Sequence, residues 1–293
     1  MIIEQFAQFP LLWAALLIVL GLLVGSFLNV VILRLPQSLE HEWKTQCREL
    51  LEVSPNPGDA QTPPNIVFPA SFCPQCKTTL KWWQNIPVLS YLLLRGQCHA
   101  CKQPIPLRYP AVEILTAALT LLAGLSFPES RSLPWILIAV WLLIVMSVID
   151  FDTQLLPDNL TLPLMWLGLL YSTFPGSPVS PVDAIFGAAA GYMVLWLIFQ
   201  VHHLITKRQG MGYGDFKLLA ASGAWLGWQK LPFVLLIAAV AGLVVSIALM
   251  VFHNHDKNRA IPFGPYLAMG FLIILFWGES LIGQYLGLTG IKP

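Results

Sequence analysis

The stretch LLWAALLIVLGLLVGSFLNVVIL, residues 11–33, decides the fold class of this chain. It contains no charged side chain, and about 20 apolar residues are enough for a helix to cross the hydrocarbon core of a bilayer. No basic segment precedes it and no small-residue cleavage site follows it, as a removable signal peptide would require. We therefore expect a retained membrane-spanning helix.

The composition extends this interpretation to the whole sequence. Hydrophobic residues make up 56% of the 293 residues and charged residues only 11%, whereas about a quarter of the residues in a soluble domain are charged. We predict an all-α polytopic membrane protein with about eight membrane segments, separated by proline, glycine and polar clusters. The segments are Leu11–Leu33, Ala111–Phe127, Leu133–Ile149, Leu160–Phe174, Ile185–Ile205, Phe216–Trp228, Leu231–Phe252 and Phe263–Trp277.

The charges of the chain bear on its partners and its orientation. A formal net charge of +1 does not provide the basic surface that nucleic-acid binding requires, so we expect no nucleic-acid partner. If the N-terminus lies outside and eight segments alternate, 13 of the 16 Lys and Arg residues fall on the cytosolic side. Only Arg131, Lys230 and Lys292 fall outside, as the positive-inside rule favours. The short loops alone give five basic residues against three.

A polar stretch between the first two segments divides the chain into three parts. We predict a first transmembrane span at 1–33, a cytosolic domain at 34–109 and a multi-span membrane domain at 110–293. Residues 54–65 read SPNPGDAQTPPN and are typical of a proline-rich linker. Residues 40–59 carry five acidic and two basic side chains. They form either an ordinary solvated helix face or an acidic surface that attracts a basic substrate segment.

Two CxxC pairs lie in the cytosolic part, with 21 residues between them: CPQC at 73–76 and CHAC at 98–101. A two-residue gap lets both thiolates of a pair reach one ion, and two pairs complete the tetrahedral sulfur site that suits zinc. The alternatives are two disulfides, which a reducing cytosol disfavours, or four unligated thiols. We predict a structural zinc ion, because four protein sulfurs leave no open position for chemistry. The predicted ligands are Cys73, Cys76, Cys98 and Cys101. Cys47 has no predicted role.

Acidic residues stand at the ends of two apolar segments. GMGYGDFKLLAA, residues 210–221, places three glycines before Asp215, and MSVIDFDTQLLPD, residues 146–158, contains Asp150 and Asp152. The third and sixth segments run in opposite directions, so all three carboxylates come out on the same membrane face. An aspartate near the hydrocarbon boundary is costly and is a functional hypothesis by default.

Two carboxylates close together cannot both ionise readily, so they share a proton. One then takes a proton from water while the other donates to a scissile carbonyl, which is aspartic protease chemistry without a covalent intermediate. The sequence contains neither a G-x-S-x-G elbow nor an H-E-x-x-H motif, and its six histidines are scattered. The glycines before Asp215 would give an extended substrate strand room to approach; the alternative is a flexible hinge.

Three other acids have structural interpretations. Asp158 follows a proline and precedes an apolar segment, so we predict that it is a helix N-cap, and we predict the same for Asp183 at the fifth segment. Glu113 lies just inside the second segment. It either pairs with Arg108 or borders the active site, and the sequence does not decide between these roles.

Taken together, several stretches resemble the type IV prepilin peptidase family. They are GLLVGSFLNVVILRLP, the two CxxC pairs, NIPVLSYLLLRGQC, RYPAVE, IDFDTQLLPD, GMGYGDFKLLAASGAWLG and IPFGPYLAMG, which occur in the family's order over nearly the whole chain.

The resemblance implies a bifunctional bacterial leader peptidase and N-methyltransferase that serves type IV pili and type II secretion. Such an enzyme removes a short basic leader from prepilins and pseudopilins at the cytosolic face of the inner membrane. It then methylates the new N-terminus with S-adenosylmethionine. The resemblance implies that Asp150 and Asp215 are the catalytic pair and that the four paired cysteines hold zinc. It assigns no residue to the methyl donor.

Other interpretations stay open at this point. Asp152 and Asp215 share a D-x-x-L-L pattern, which favours Asp152 over Asp150 as the partner of Asp215. A secondary transporter also uses intramembrane acids, but it predicts acids near the bilayer midplane and an internal repeat. A zinc-binding membrane scaffold without catalysis leaves both acids of the pair unexplained. The oligomeric state is not predicted.

Overall fold

The computed structural model describes residues 9–52, 65–127, 131–207, 211–253 and 261–289. Several features of the sequence lie outside these residues. They are the linker predicted at 54–65 (apart from Asn65), Asp59 of the acidic stretch, Gly210 of the glycine-rich run, and the basic residues Arg208, Lys257, Arg259 and Lys292.

The regular secondary structure of the described residues is helical, as predicted. Nine α-helices follow one another along these residues, with 3-10 turns at Trp82–Asn85 and Trp228–Lys230. The helices are α1 (Pro10–Leu51), α2 (Leu89–Leu93), α3 (Arg108–Ser126), α4 (Leu133–Thr153), α5 (Asp158–Ser172), α6 (Pro181–Thr206), α7 (Tyr213–Leu226), α8 (Leu231–His253) and α9 (Gly264–Thr289).

Six helices in the described part of the chain are long and apolar enough to cross a membrane. The all-α polytopic class is therefore confirmed, whereas the predicted count of eight segments is not. The two predicted segments that fall short correspond to α5, with 15 residues, and α7, with 14. At 1.5 Å per residue these helices are only about 21–23 Å long, against a hydrocarbon core of about 30 Å.

Residues 1–129 form one compact unit, in which α1 packs against α3 through glycine. A Cβ atom on Gly21 would lie 2.5 Å from the Cα atom of Ala117, and one on Gly25 would lie 2.7 Å from that of Glu113. Small residues spaced in this way let two membrane helices approach closely. Helix α1 continues to Leu51, well beyond the predicted end of the first span at Leu33.

Residues 130–293 form the second compact unit, and α7 lies in its interior. Phe216 and every residue from Leu218 to Leu226 are buried. The backbones of α6 and α7 meet at Gly187 and Gly223, and Trp225 Nε1 donates a 2.8 Å hydrogen bond to the carbonyl oxygen of Leu164 in α5. A helix that is apolar on nearly all sides is expected to be surrounded by protein or lipid, which accounts for the apolar residues that follow Lys217 in α7.

Candidate active site and candidate metal centre

Asp150 lies in the last turn of α4 and is 5% exposed. Its carboxylate oxygen Oδ2 accepts a 3.0 Å hydrogen bond from the backbone N–H of Gly264, the first residue of α9. A buried carboxylate needs such a donor, because burial without hydrogen bonds is costly. The hydrogen bond joins residues 114 positions apart in the sequence.

Asp215 lies in the first turn of α7, after the extended N-cap residue Gly212, and is 7% exposed. Asp150 lies near enough for its charge to act on Asp215. The structure thus brings together the two acids that the sequence placed on one membrane face. Two buried carboxylates that interact in this way can share a proton.

Leu156, in the loop between α4 and α5, contacts a glycine beside each aspartate. A Cβ atom on Gly214 would lie 2.6 Å from Leu156 Cβ. A Cβ atom on Gly264 would lie 3.0 Å from Leu156 Cδ1 and 2.7 Å from Asp150 Oδ2. The room created by Gly214 is therefore filled by the protein's own Leu156, which is 9% exposed.

Sequence reasoning did not identify Leu156 or Gly264 as residues of this site. Both stand inside stretches that carried the family resemblance, LLPD and IPFGPYLAMG. That was the only signal, because neither side chain has chemistry of its own.

The other acids of the region lie differently from the pair. Asp152 is exposed, since two positions further along a helix a side chain points to the opposite side. The prediction that Asp158 is the N-cap of α5 is wrong, because Pro157 occupies that position. Asp158 instead forms a 2.5 Å ion pair with Lys217 of α7. The tertiary partner is a cation, which attracts the carboxylate more strongly than a backbone amide does.

The predicted N-cap role of Asp183 is also wrong. Ser180 caps α6 by accepting a 3.1 Å hydrogen bond from the backbone N–H of Asp183. The Asp183 carboxylate accepts hydrogen bonds from Ser180 Oγ (2.7 Å), Trp228 Nε1 (3.1 Å) and Gln229 Nε2 (3.0 Å). It thereby joins the start of α6 to the turn that precedes α8.

Glu113 is 8% exposed and accepts a 2.8 Å hydrogen bond from the backbone N–H of Val88. This contact lies within the first unit and connects α3 to the segment between the two CxxC pairs.

Of the acidic stretch, the described residues 40–52 form the end of α1 and its C-cap. Glu40 pairs there with Lys44 at 2.6 Å across one helical turn.

The four paired cysteines form one cluster in which the Sγ atoms all lie within 4.8 Å of one another. Cys73 Sγ and Cys101 Sγ are 3.9 Å apart, and tetrahedral zinc with Zn–S bonds of about 2.3 Å separates its sulfurs by about 3.8 Å. The cluster therefore fits zinc. Cys47 is exposed and lies outside the cluster.

The two CxxC turns share one backbone pattern. The N–H of Lys77 donates to the carbonyl of Cys73, and the N–H of Lys102 donates to that of Cys98. Lys77 and Lys102 both adopt a left-handed conformation, with φ of 58° and 59°. Each turn folds back in the same way and directs its thiols to one point.

One thiol in each turn has a lowered pKa, whereas the pKa of the Cys101 thiol is raised to about 11, because the hydrogen bond from the backbone of Gln103 is outweighed by burial and the neighbouring thiols. The hydroxyl and backbone N–H of Thr78 lower the pKa of the Cys76 thiol to about 6. The backbone N–H groups of Cys101 and Ala100 lower the pKa of Cys98. Because the thiolate is the form that binds metal, the lowered pKa values of Cys76 and Cys98 favour ligation at neutral pH.

The fold and the two sites define a class of protein: a polytopic helical membrane protein with a buried aspartate pair and a separate four-cysteine cluster. Residues 19–127 match the bacterial peptidase A24 N-terminal domain, and residues 137–247 match the type IV leader peptidase family. The chain belongs to this leader peptidase family, which confirms the resemblance seen in the sequence.

Several relatives are similar over nearly their whole length, and all carry the name prepilin leader peptidase/N-methyltransferase. The protein of Aeromonas hydrophila is 45% identical over 98% of both chains. That of Pseudomonas aeruginosa is 45% identical over 99% of both chains. That of Legionella pneumophila is 45% identical over 91% of this chain and 92% of its own. No solved structure matches the chain.

Proposed function

We propose that this protein is a bifunctional prepilin-processing enzyme, which cleaves the leader peptide of prepilins and pseudopilins and then N-methylates the new N-terminus. The names of relatives that are 45% identical over nearly the whole chain support this function. The observation that carries the peptidase half is the meeting of buried Asp150 and Asp215.

Cleavage requires the two aspartates to share one proton. The ionised carboxylate takes a proton from a water molecule, whose oxygen attacks the scissile carbonyl carbon, while the protonated carboxyl donates its proton to the carbonyl oxygen. Collapse of the tetrahedral intermediate breaks the C–N bond, and a carboxyl proton moves to the leaving amine. Asp150 and Asp215 both act as acid and base in this cycle and form no covalent bond with the substrate.

The four-cysteine cluster serves as a structural zinc site in this proposal. Cys73, Cys76, Cys98 and Cys101 would hold the ion, and the fit of their sulfur spacing supports zinc. A closed site with four sulfurs stabilises the surrounding fold and leaves no position for a substrate. S-adenosylmethionine supplies the methyl group, and we assign no residue to its binding.

The aspartate pair would lie at the cytosolic face of the bacterial inner membrane. The distribution of Lys and Arg favours this orientation. A cytosolic location also keeps the four thiols reduced and available for zinc. The bilayer is a further partner, since six helices in the described part of the chain are long and apolar enough to cross it.

Mass spectrometry of a prepilin incubated with the purified enzyme tests both activities. Without S-adenosylmethionine we expect the mass of the cleaved pilin, and with it the same product plus one methyl group. An uncleaved substrate under both conditions would refute the peptidase, and an unchanged cleaved mass would refute the methyltransferase. A proton transporter would instead acidify the lumen of proteoliposomes and leave the prepilin intact.

A further inference from the structure

The backbone amide of Gly264 contacts the candidate catalytic pair although it belongs to neither aspartate motif. Gly264 opens α9, and the carbonyl oxygen of the preceding Phe263 accepts hydrogen bonds from the N–H groups of Tyr266 and Leu267. The first N–H groups of a helix have no acceptor within the helix. The Gly264 N–H finds its acceptor in Asp150 Oδ2, at 3.0 Å.

The absence of a side chain at this position is required for the contact. A Cβ atom on Gly264 would lie 2.7 Å from Asp150 Oδ2 and 3.2 Å from Asp150 Cγ. Contacts under about 3 Å between such atoms are not tolerated, so the carboxylate would have to move away. Glycine lets the backbone of α9 approach the carboxylate to hydrogen-bond distance.

Leu156 extends the same arrangement to Asp215. Its side chain lies between Gly264 and Gly214, the residue that precedes Asp215. It is buried, and volume changes in a packed site shift its neighbours. The separation between the start of α7 and the start of α9 therefore depends on the size of this side chain.

We infer that Gly264 and Leu156 are positioning residues of the aspartate pair: the Gly264 N–H fixes the Asp150 carboxylate, and Leu156 sets its distance from Asp215. This inference rests on the proposed peptidase function. Neither residue exchanges a proton; each acts through the aspartates. Both act by keeping the two carboxylates within the small range of separations at which they share a proton, since a misplacement of about 1 Å can cost about 10²-fold in rate.

A purely structural role makes a different prediction. Asp150 would then be only a tertiary cap for the first turn of α9. Loss of a cap lowers stability, so folding and both activities would decline together. A positioning role lowers the turnover of cleavage alone, because methyl transfer to an already cleaved pilin does not use the aspartate pair.

The test compares Gly264→Ala with Gly283→Ala, a glycine of the same helix around which a Cβ atom would meet nothing within 4 Å. The purified full chain is assayed for kcat and KM of prepilin cleavage, for methylation of a cleaved pilin, and for melting temperature. For Gly264→Ala we expect kcat to fall by about 10²-fold, with KM and methylation unchanged. For Gly283→Ala we expect all four quantities to match those of the native chain.

Gly264→Ala could lose methylation as well as cleavage, which would show that this variant is misfolded. Substitutions of Leu156 then provide an independent test. Leu156→Ala should lower kcat of cleavage at unchanged KM, and Leu156→Met, which conserves volume, should restore it. The neighbouring Leu155→Ala is the matched control. A native kcat for Leu156→Ala, or equal losses in the Ala and Met variants, would overturn the assignment of Leu156.

The outcomes separate this inference from the function on which it rests. If Asp150→Asn and Asp215→Asn abolish cleavage while Gly264→Ala cleaves at the rate of Gly283→Ala, the positioning role of Gly264 is wrong and the peptidase stands. If the two Asn variants cleave normally, the proposed peptidase site itself is wrong.

Discussion

At the residue scale, Asp150 and Asp215 reach one another from opposite ends of their helices. Asp150 lies in the last turn of α4 and Asp215 in the first turn of α7. Neighbouring Asp152 shares the sequence context of Asp150 but is exposed. Burial favours Asp150, whereas the D-x-x-L-L pattern favoured Asp152, because a catalytic carboxylate requires shielding from bulk water and a nearby partner.

Asparagine at each of the three positions distinguishes these roles, since it keeps the shape of aspartate and removes the titratable proton. Asp150→Asn and Asp215→Asn should each lower kcat of cleavage by at least about 10²–10⁴-fold. The double variant should be scarcely slower than either single one, because paired catalytic groups fail as a unit. Kinetics with a purified prepilin provide the measurement.

Asp152→Asn is the matched control in that series and should stay within about tenfold of the native rate, far from the loss expected at a catalytic position. Methylation of a cleaved pilin should survive all three substitutions. An inactive Asp152→Asn beside an active Asp150→Asn would reverse the assignment of the pair.

Only part of this site could be predicted from the sequence. Asp215 and the four cysteines stand in short motifs, whereas the family resemblance selected Asp150 over Asp152. Leu156 and Gly264 were not predictable, because their contacts join residues that are far apart in the sequence: Leu156 contacts Gly214 and Gly264, and Gly264 hydrogen-bonds to Asp150, 114 positions away. The capping role of Asp158 was predicted wrongly for the same reason: Lys217, its partner, is 59 residues away.

At the element scale, α7 is held by close backbone contact with α6. Gly187 and Gly223 lie so near one another that a side chain on either would meet the other's carbonyl group. Aromatic packing adds to this contact, since Trp225 of α7 stacks on Tyr171 of α5 at 5.2 Å. The helix that carries Asp215 is thus fixed on two sides.

Gly223→Ala tests this packing. The added methyl group must push α6 and α7 apart. Overpacking of this kind lowers the free energy of unfolding by about 1–3 kcal/mol. Because Asp215 moves with α7, we expect cleavage to slow as well. Thermal unfolding in detergent, with Gly283→Ala as the control, measures the first effect. A melting temperature equal to that of the control would show that the two helices are not in rigid contact.

The stability of the two CxxC turns depends on whether they hold a metal ion. A small segment with little apolar core gains much of its folding free energy from a bound metal. Cys98→Ser should therefore lower the zinc content per chain and make residues 70–105 sensitive to proteolysis, with peptidase activity affected only secondarily. Zinc analysis and limited proteolysis check this. Cys47→Ser, outside the cluster, should retain zinc, and full zinc retention by Cys98→Ser would contradict the four-sulfur site.

At the scale of the whole molecule, the meeting of the aspartates constrains how the second unit crosses the membrane. Leu156 follows α4, and it contacts both Gly214 before α7 and Gly264 at the start of α9. These three points therefore lie at one membrane face. If α5 did not cross, α6 with its 26 residues would carry Asp215 to the opposite face, about 30 Å from Asp150.

The same argument applies to the second short helix. Helix α8 has 23 residues and ends before Gly264, so it must begin at the face opposite the aspartates. Helix α7 has to carry the chain there. We therefore expect α5 and α7 to cross despite their lengths, with local thinning of the bilayer, which costs fractions of a kcal/mol per Å of mismatch. Sequence parity favoured eight crossings, while helix length alone favours six.

Labelling of one introduced cysteine at a time, measured against the Cys47→Ser chain with its four cluster cysteines, decides between eight and six crossings. Two substitutions are made in a Cys47→Ser background. Position 177, in Ser177→Cys, lies between α5 and α6, and position 207, in Lys207→Cys, directly follows α6. With the N-terminus outside, eight crossings place position 177 outside and position 207 in the cytosol, whereas six crossings reverse both. Arg131→Cys, between α3 and α4, lies outside under either count and is the control for labelling.

We expect a membrane-impermeant maleimide added to intact spheroplasts to label positions 131 and 177 and to label position 207 only after lysis. The physical reason is that a buried aspartate pair cannot form across a bilayer: α5 must return the chain to the side from which α6 can bring Asp215 back to Asp150. Labelling of position 207 without lysis, together with protection of position 177, would mean that α5 and α7 do not cross. The contact of Leu156 with both Gly214 and Gly264 could then not exist in the membrane, and the shared-proton mechanism would fail with it.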